Sequence, residues 1–453
     1  MMFQSRIYIF RYLKRIFFRH IYINTVVNSG KDKYRKKGFI SPKKTQGFSK
    51  NNLKVSVKSN EFFPRVLSPL ESKRLLLSYQ KRSCDIGIEN LSISVIDDIN
   101  LSGNLFNFPL NILQKMRDLE VFGFESRVDF SKDPVVILRE CSISIGRILL
   151  NDNISSKDRR IVLIGNQGTG KSFCLLQAQC WAFQKGWIVL AVPRGSSIDI
   201  VNNTTPFFYH KETGLWRQQE YTSSLLNRFA KANFDTLSKI FLSKDYHVGK
   251  HLIPKSTSLF KFLEIGVLDS SISHDVLEIF LKELNVGNRP PVLFTFDNVS
   301  AICLPSLYMS SEYKNIHPYE LALVRTFFSY LNGEERGAII SCASKSFNKS
   351  DRVLDISLGF LEPKSYEDID ERILWAVNGA KYHLIGNYTP IESENIVRYY
   401  SMSNIIRKNI DEISEEFIKE RILLSGSNPR ELFWNCVRMW MNSFVYRNYV
   451  LNC

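Results

Sequence analysis

Gly165-Asn166-Gln167-Gly168-Thr169-Gly170-Lys171-Ser172 is the stretch of this chain from which the fold can be predicted. It matches the phosphate-binding pattern G-x-x-x-x-G-K-[ST] at every fixed position. The apolar run Ile161–Ile164 before it predicts a short buried strand, and residues 173–185 after it show the apolar spacing of a helix. The motif therefore lies where its mechanism requires it, between a strand and a helix N-terminus.

This setting predicts a binding site for the phosphates of a nucleotide. The glycines let backbone N–H groups turn toward the phosphates, and the helix N-terminus adds the positive end of its dipole. Lys171 is expected to reach the terminal phosphates, and the hydroxyl of Ser172 to ligate Mg²⁺. A glycine-rich turn that matches the pattern by chance is the alternative. The loop pattern alone predicts phosphate binding and does not predict hydrolysis.

A second strand candidate, Val292–Phe296, ends at Asp297. A carboxylate at the C-terminal end of a neighbouring strand holds Mg²⁺ in this arrangement, usually through water, so we predict Asp297 as a metal residue beside Ser172. Hydrolysing P-loop proteins commonly carry Glu at the next position, where this chain has Asn298. Because Asn cannot accept a proton at neutral pH, the sequence predicts slow hydrolysis or none, and no catalytic residue is assigned.

Apolar runs alternate with helical stretches from about residue 155 onward. This order predicts an α/β fold, with a mostly parallel sheet and helices on both faces. The strand candidates are residues 161–164, 187–192, 292–296, 338–342 and 353–358. Upstream, Pro109–Arg117 and Pro134–Ile143 each begin with proline and predict helices, although the β-branched residues of the second leave a strand possible.

The charge of the chain is concentrated at one end. The net charge is +15 over 453 residues, and residues 1–60 account for +14 of it, with fifteen Lys and Arg against one acid, Asp32. The remainder is nearly neutral, which gives no support for a strongly basic nucleic-acid-binding domain, although a basic tail can contact RNA. The eight cysteines form no C-x-x-C pair, so we expect reduced, packed thiols.

The N-terminal segments predict targeting and a flexible arm. Residues 1–30 interleave Arg and Lys with apolar residues and contain no acid, which is typical of a mitochondrial transit peptide; a basic surface helix is the alternative. Residues 31–60 are polar and basic and predict a disordered arm, which either lies along a polyanion such as ribosomal RNA or is a solvated linker. No uninterrupted run reaches the roughly 20 apolar residues of a membrane span.

Two further polar positions are candidates for contact with the γ-phosphate. Ser341 or Ser344, at the end of the fourth strand candidate, can lie near it, although ordinary strand-end serines are equally consistent with the pattern. Asn428-Pro429-Arg430 follows a glycine and predicts a turn that opens a helix. Arg430 there can form bidentate hydrogen bonds to phosphate, whereas a surface arginine in a capping turn is the simpler interpretation of the local sequence.

Together these segments resemble an AAA+-type P-loop core of the STAND group followed by a helical lid, with Arg352–Leu358 as the fifth strand. In that group a polar residue at the end of strand four and the arginine of a G-x-P-R-like turn sense the nucleotide, which implies these roles for Ser341 or Ser344 and for Arg430. The stretches GNQGTGKS, RPPVLFTFDNVSAI, RGAIISCASKS and LLSGSNPREL are similar to the death-associated protein 3 family, over roughly residues 130–435.

This resemblance implies a structural component of the small subunit of the mitochondrial ribosome, located in the mitochondrial matrix. The implied partners are small-subunit proteins, ribosomal RNA and the large subunit across the interface, with no membrane. The implied ligands are GTP or GDP, with ATP as the alternative, and Mg²⁺. The implied nucleotide-binding residues are Gly165–Ser172, Ser344 and Arg430, and the metal residues are Ser172 and Asp297.

The predicted domain order follows the chain. It comprises the transit peptide (1–30), the basic arm (31–60), an N-terminal helical region without a motif (61–150), a nucleotide-binding domain (151–360) with an insertion at about 195–260, and a helical lid (361–453). The insertion predicts a partner surface or an extra lobe. One alternative function is a mitochondrial STAND-type NTPase switch outside the ribosome. Another is an AAA+ DNA loader, against which the near-neutral body argues.

Overall fold

The computed structural model describes the chain from residue 88 to residue 436 with gaps. The described ranges are 88–122, 134–151, 153–193, 199–202, 204–287, 289–301, 306–332, 337–345, 349–364, 371–372, 377, 379–403, 405–406 and 413–436. The predicted transit peptide and basic arm lie outside them. All described residues belong to one compact unit, residues 64–453.

Within the described ranges, the strands and the α-helices with both ends described follow one another in the order expected for an α/β protein. They are β1 (Leu105–Asn107), α1 (Leu110–Asp118), β2 (Val135–Ile137), α2 (Glu140–Leu150), β3 (Arg160–Asn166), α3 (Lys171–Gln184), β4 (Ile188–Val192), β5 (Phe208–His210), β6 (Leu215–Arg217), α4 (Gln219–Ala232), α5 (Phe234–Leu237), β7 (Tyr246–Val248), β8 (His251–Ile253), α6 (Leu259–Leu268), α7 (Ser273–Leu284), β9 (Val292–Phe296), α8 (Ala322–Asn332), β10 (Gly337–Lys345), α9 (Lys349–Ser357), β11 (Lys381–Leu384), α10 (Pro390–Met402) and α11 (Glu415–Ser425).

Five of these strands form a parallel central sheet in the order β11-β3-β10-β9-β4. The predicted α/β class and four of the five predicted strands are confirmed, as β3, β4, β9 and β10. The expectation that the Asp297 strand neighbours the loop strand is not met, because β10 lies between β9 and β3. The C-terminal ends of all five strands still share one edge, where open α/β sheets bind their ligands.

The predicted fifth strand is wrong. Val353–Leu358 falls in α9 and the turn after it, and the fifth strand is β11. A short apolar run fits either element, and the missed signal is Gly359, whose φ of +77° ends the helix. β11 lacks an apolar pattern because it is an edge strand whose side chains are mostly exposed. The sheet therefore draws one strand from the segment predicted as a helical lid.

The N-terminal region differs in part from its prediction. The predicted helix at Pro109–Arg117 is confirmed as α1. The prediction of a helix over Pro134–Ile143 is wrong at its start, where Val135–Ile137 pairs antiparallel with β1 and the helix begins only at Glu140. The β-branched residues favour the strand that the sequence left open.

Within the described ranges, buried apolar residues form three clusters, and α3 joins two of them. The largest surrounds the central sheet and includes Leu175 of α3 and Phe229 of α4, which comes from the predicted insertion. The second fills the N-terminal region and includes Trp181 of α3. The third lies within the lid helices around Tyr400 and Phe433. Since α3 is buried on nearly every side, it is held firmly at the centre of the fold.

None of the helices within the described ranges has both the length and the apolar run needed to span a bilayer.

Candidate functional site

The glycine-rich loop (Gly165–Ser172) joins the C-terminal end of β3 to the first turn of α3. Gly168 and Gly170 have φ angles of +88° and +97°, a conformation that residues with a side chain rarely adopt. Because α3 begins at Lys171, its first N–H groups have no partner within the helix and lie at the end of the loop. This geometry provides the backbone donors and the dipole end that favour an anion.

Lys171 is buried at this end of the sheet. Its Nζ donates hydrogen bonds of 2.8 Å to the carbonyl oxygens of Gly165 and Asn166. A charged ammonium group held next to a helix N-terminus makes the site electropositive. The structure thus places the predicted lysine between the two ends of the loop.

Ser172, the residue after Lys171, contacts Asp297. The Oγ of Ser172 donates a hydrogen bond of 2.6 Å to Oδ2 of Asp297. The N–H of Asp297 donates to the carbonyl of Val192 at 2.9 Å, which fixes the residue at the end of β4. A hydroxyl and a carboxylate, with water completing the shell, are the oxygen ligands that Mg²⁺ prefers, so the two side chains fit the predicted cation.

The turn before the last described helix packs directly on the glycine-rich loop. Asn428 Nδ2 donates to the Gln167 carbonyl at 3.0 Å, and the Arg430 N–H donates to the Gly168 carbonyl at 3.2 Å. A side chain at Gly168 would lie 2.6 Å from Asn428 Oδ1 and 2.8 Å from Arg430 Cβ, so the approach requires glycine. The structure therefore brings Arg430, far away in sequence, next to the loop.

The prediction that this turn opens a helix is confirmed, since residues 429–436 are helical. Asn428 caps that helix, because its Oδ1 accepts the N–H groups of Arg430 at 3.0 Å and Glu431 at 3.3 Å. One asparagine thus holds the helix start and the loop together, which fixes where the Arg430 side chain begins.

Ser341 and Ser344 lie at different depths of β10. Ser341 is buried and in register with Val162 and Phe296, inside the sheet. Ser344 is in register with Gly165, the first residue of the glycine-rich loop. The register therefore favours Ser344 over Ser341 as the strand-end residue near the loop. The side chain of Ser344 lies outside the described part of the structure.

Asn298 adopts a left-handed conformation with a φ of +73°. Asparagine tolerates this region better than most residues with a side chain. Its carbonyl accepts the N–H of Ala301 at 3.0 Å and so begins the turn after β9. The structure therefore shows a conformational reason for asparagine at this position.

Arg139, which was not predicted from the sequence, connects the N-terminal region with the loop and the lid. Its Nη1 donates to the Thr169 carbonyl at 3.0 Å, and its Nη2 to the carbonyls of Gly386 and Asn387 at 3.2 and 2.8 Å. Its Nε pairs with Glu392 at 3.2 Å. Both charged side chains are buried. The N-terminal region, in which no motif was found, therefore contributes to the site.

The signal for Arg139 was a charge placed directly after an apolar run. It follows the apolar residues Val135–Leu138 directly, and a buried guanidinium needs several partners. The sequence shows no partner nearby, because all of them come from residues more than 29 positions later.

A cavity lies beside the loop, between β2, α3 and the lid. Its floor is one face of α3, where Gly170, Phe173, Cys174 and Gln177 recur at helical spacing. Apolar and aromatic side chains form the walls: Val135, Tyr388, Ile396, Tyr399, Tyr400 and Phe433. Such walls suit a flat, largely apolar ring. The sequence could not reveal this cavity, since its lining is drawn from three distant segments.

The floor of the cavity is uncharged where Cys174 contributes to it. The hydrogen bond with Cys141, together with burial, raises the pKa of the Cys174 thiol well above its ordinary value. The thiol therefore stays protonated and adds to the apolar surface.

A family model and several known proteins match more than half of the chain. A family model described as mitochondrial ribosomal death-associated protein 3 matches residues 136–434. Among similar proteins is small ribosomal subunit protein mS29 of Schizosaccharomyces pombe, which is 27% identical over 348 residues that cover 74% of this chain and 71% of the relative.

Proteins of the same name from other organisms are also similar. Small ribosomal subunit protein mS29 of Neurospora crassa is 24% identical over 377 residues, or 78% of each chain. The protein of that name from Bos taurus is 25% identical over 317 residues, or 68% of this chain and 76% of the relative. The matched family region begins within β2 and ends in the helix that carries Arg430.

Proposed function

Because the chain belongs to the mitochondrial ribosomal death-associated protein 3 family, we propose that it is a structural constituent of the mitochondrial small ribosomal subunit and holds a guanine nucleotide there. In this role it lies in the mitochondrial matrix and supports mitochondrial translation. The observation that carries the nucleotide is the hydrogen bond of 2.6 Å between Ser172 and Asp297, beside a glycine-rich loop at a helix N-terminus.

The names of the relatives support the ribosomal part of the proposal. Two fungal proteins and a mammalian one are named as parts of the small ribosomal subunit, and they align with 68% to 78% of this chain. Within the subunit we propose contacts with other ribosomal proteins and with ribosomal RNA, and across the interface with the large subunit. The basic arm, residues 31–60, suits RNA phosphates better than the nearly neutral residues that follow it.

In the proposed nucleotide site each of the predicted side chains has a role. The sheet, the loop and the lid form a P-loop core of AAA+ type, in which Gly165–Ser172 wraps the phosphates and Lys171 neutralises their charge. Ser172 and Asp297 would hold Mg²⁺, which would neutralise negative charge on the phosphates. In this proposal Arg430 in the lid and Ser344 at the end of β10 bind the γ-phosphate.

The base of the nucleotide occupies the cavity between β2, α3 and the lid. Its floor begins at Gly170, the last glycine of the loop, and runs along α3 to Gln177, so the cavity borders the loop. Tyr388 and Phe433 are among the lining residues and supply aromatic rings against which a purine can pack. GTP or GDP is the proposed ligand, and ATP is the alternative.

Turnover of the nucleotide is not part of the proposed role. General-base catalysis needs a group that accepts a proton near neutral pH, and Asn298 after β9 is not one. A nucleotide that binds only the folded chain stabilises it by mass action, which suits a structural ligand.

A switch that acts outside the ribosome is the second candidate. The observation that favours it is the contact of Asn428 and Arg430 with the loop, because a nucleotide that alters the loop also alters the lid. Co-sedimentation with the small subunit distinguishes the two roles.

Replacement of Lys171 tests the nucleotide. We expect Lys171→Ala in the full chain to abolish GTP binding in isothermal titration, because the cation at the phosphates is lost. Lys185→Ala, an exposed lysine at the other end of α3, is the matched control and should bind like the wild type. Unchanged affinity in Lys171→Ala would contradict the assignment of the loop.

A further inference from the structure

Gln177 lies at the inner end of the cavity floor, and its position along α3 fits a contact with the base. It follows Ser172 by five residues, or about 7.5 Å along the helix axis. It shares its helix face with Gly170 and Phe173, the part of the floor nearest the loop. A ligand whose phosphates lie at the loop and whose ring lies in the cavity therefore extends toward Gln177.

The amide of Gln177 has a fixed orientation. Its Nε2 donates a hydrogen bond of 2.8 Å to the Ile137 carbonyl in β2, and a carbonyl oxygen can only accept. The amide oxygen is therefore the atom turned away from Ile137. Within the described part of the chain this Oε1 has no hydrogen-bond partner, although the side chain is 1% exposed. A buried acceptor without a partner is unfavourable unless a ligand or an ordered water completes it.

Two other polar side chains that line the cavity are already engaged. Arg139 donates to Glu392 and to carbonyl groups of the loop and of the segment after β11. Ser142 Oγ donates to Cys174 Sγ at 3.5 Å. Gln177 differs from both, because its Oε1 receives no hydrogen bond from the residues that the structure describes.

We propose that Gln177 is the residue that reads the base, with Oε1 accepting a hydrogen bond from the exocyclic amine of a purine. This inference rests on the proposed nucleotide site. Because Nε2 is committed to Ile137, the side chain offers an acceptor alone, so it selects bases with a donor at that position. Guanine carries such a donor in its 2-amino group and adenine in its 6-amino group. Hypoxanthine lacks the 2-amino group of guanine, and unsubstituted purine lacks the 6-amino group of adenine. Neither base can form this hydrogen bond.

Affinities of amino and desamino nucleotides for the wild-type full chain test the proposal directly. Isothermal titration compares GTP with inosine triphosphate, and ATP with purine riboside triphosphate. We expect one of the two pairs to show a loss of about tenfold without the amine, the effect of one buried neutral hydrogen bond. The pair that shows it identifies the base as guanine or adenine. If neither pair differs, the proposal is overturned, and this comparison requires no variant.

The variant Gln177→Met, of similar length and without polar atoms, should erase that preference. Gln179→Met is the matched control. Gln179 is 2% exposed and its Oε1 also has no partner among the described residues, but its Nε2 donates to Thr295. Two residues turn the helix by about 200°, so Gln179 faces away from the cavity floor, and its variant should keep the preference. A preference that persists in Gln177→Met overturns the role of Gln177.

The outcomes separate this inference from the proposed function. A wild-type chain that binds none of the four nucleotides contradicts the nucleotide site itself. Binding that is lost in Lys171→Ala but does not depend on the amine leaves the nucleotide site standing and removes Gln177 from base reading. Tripolyphosphate, which has no base, should bind Gln177→Met and the wild type equally.

Discussion

Ser172 Oγ lies 2.6 Å from Oδ2 of Asp297, a residue 125 positions later in the chain. The two belong to different elements, since Ser172 is in the first turn of α3 and Asp297 follows β9. The parallel sheet brings them together because strands that run in one direction end at one edge. A hydroxyl and a carboxylate in contact at a helix N-terminus are suited to a hydrated magnesium ion bound to phosphate.

Asp297→Asn should weaken binding of Mg²⁺·GTP by about 10- to 100-fold, the usual effect of disturbing the groups that hold a metal. The amide keeps the size of the side chain but removes the negative charge that attracts the cation. Affinity in the presence of EDTA should change little. The control is Asp98→Asn. Asp98 is an exposed carboxylate that caps a short helix, and an asparagine at this position can still cap it. Equal losses with and without magnesium would remove Asp297 from the metal site.

Arg430→Ala should weaken binding of GTP more than binding of GDP. Its backbone is held against the Gly168 carbonyl, so its side chain starts beside the loop. A charge-assisted hydrogen bond to the γ-phosphate corresponds to about 10- to 100-fold in affinity. Arg430→Lys keeps the charge without the bidentate geometry and should give an intermediate loss. If titrations show the same loss for both nucleotides, Arg430 does not contact the γ-phosphate.

Arg139→Met should lower the free energy of unfolding by about 3–5 kcal/mol, because Glu392 is left as an uncompensated buried charge. The double variant Arg139→Met/Glu392→Met should recover part of that loss. Urea unfolding of the wild type, the two single variants and the double variant gives the coupling energy between Arg139 and Glu392. The exposed pair Glu415–Lys419 on α11 is the control, and Lys419→Met should cost less than about 0.5 kcal/mol. A small change in the free energy of unfolding of Arg139→Met would mean that Arg139 does not hold the lid in place.

Stability should fall in mild acid because of His274. Burial lowers the pKa of this histidine to about 3, and its Nε2 accepts the N–H of Gln218 at 3.1 Å. The unfolded chain takes up the proton below its ordinary pKa of 6.5, whereas the folded chain stays neutral, so protonation favours unfolding as the pH falls.

Between pH 7 and pH 5 this linkage amounts to about 2 kcal/mol. Urea unfolding at the two values should show that His274→Gln lacks this part of the decline. His247→Gln, an exposed histidine in β7, should retain it. Equal declines in all three proteins would mean that His274 is not the buried neutral group.

Local patterns predicted the elements that carry the glycine-rich loop and Asp297. β3 and β9 are apolar runs that end in motif residues, so both strands and the positions of Lys171 and Asp297 followed from the sequence. The turn at Asn428 also followed, because capping residues act over a few positions. In each case the physical cause lies within one short segment.

Features set by distant partners did not follow from the sequence. β11 is polar because it forms the sheet edge, and Val353–Leu358 fits the period of a helix as well as that of a strand. Arg139 is explained only by Glu392 and by carbonyl groups that the fold brings to it. The cavity likewise exists only when β2, α3 and the lid have come together.

Sedimentation of mitochondrial lysate through sucrose gradients at low and high salt, with nucleotide extraction from the peak that contains the protein, tests the central claim most directly. The chain should sediment with the small ribosomal subunit at both salt concentrations and carry guanine nucleotide, which Lys171→Ala should lack. A chain that sediments free of the subunit at both salt concentrations would contradict the ribosomal role. A chain that sediments with the subunit but carries no nucleotide would contradict the assignment of the loop.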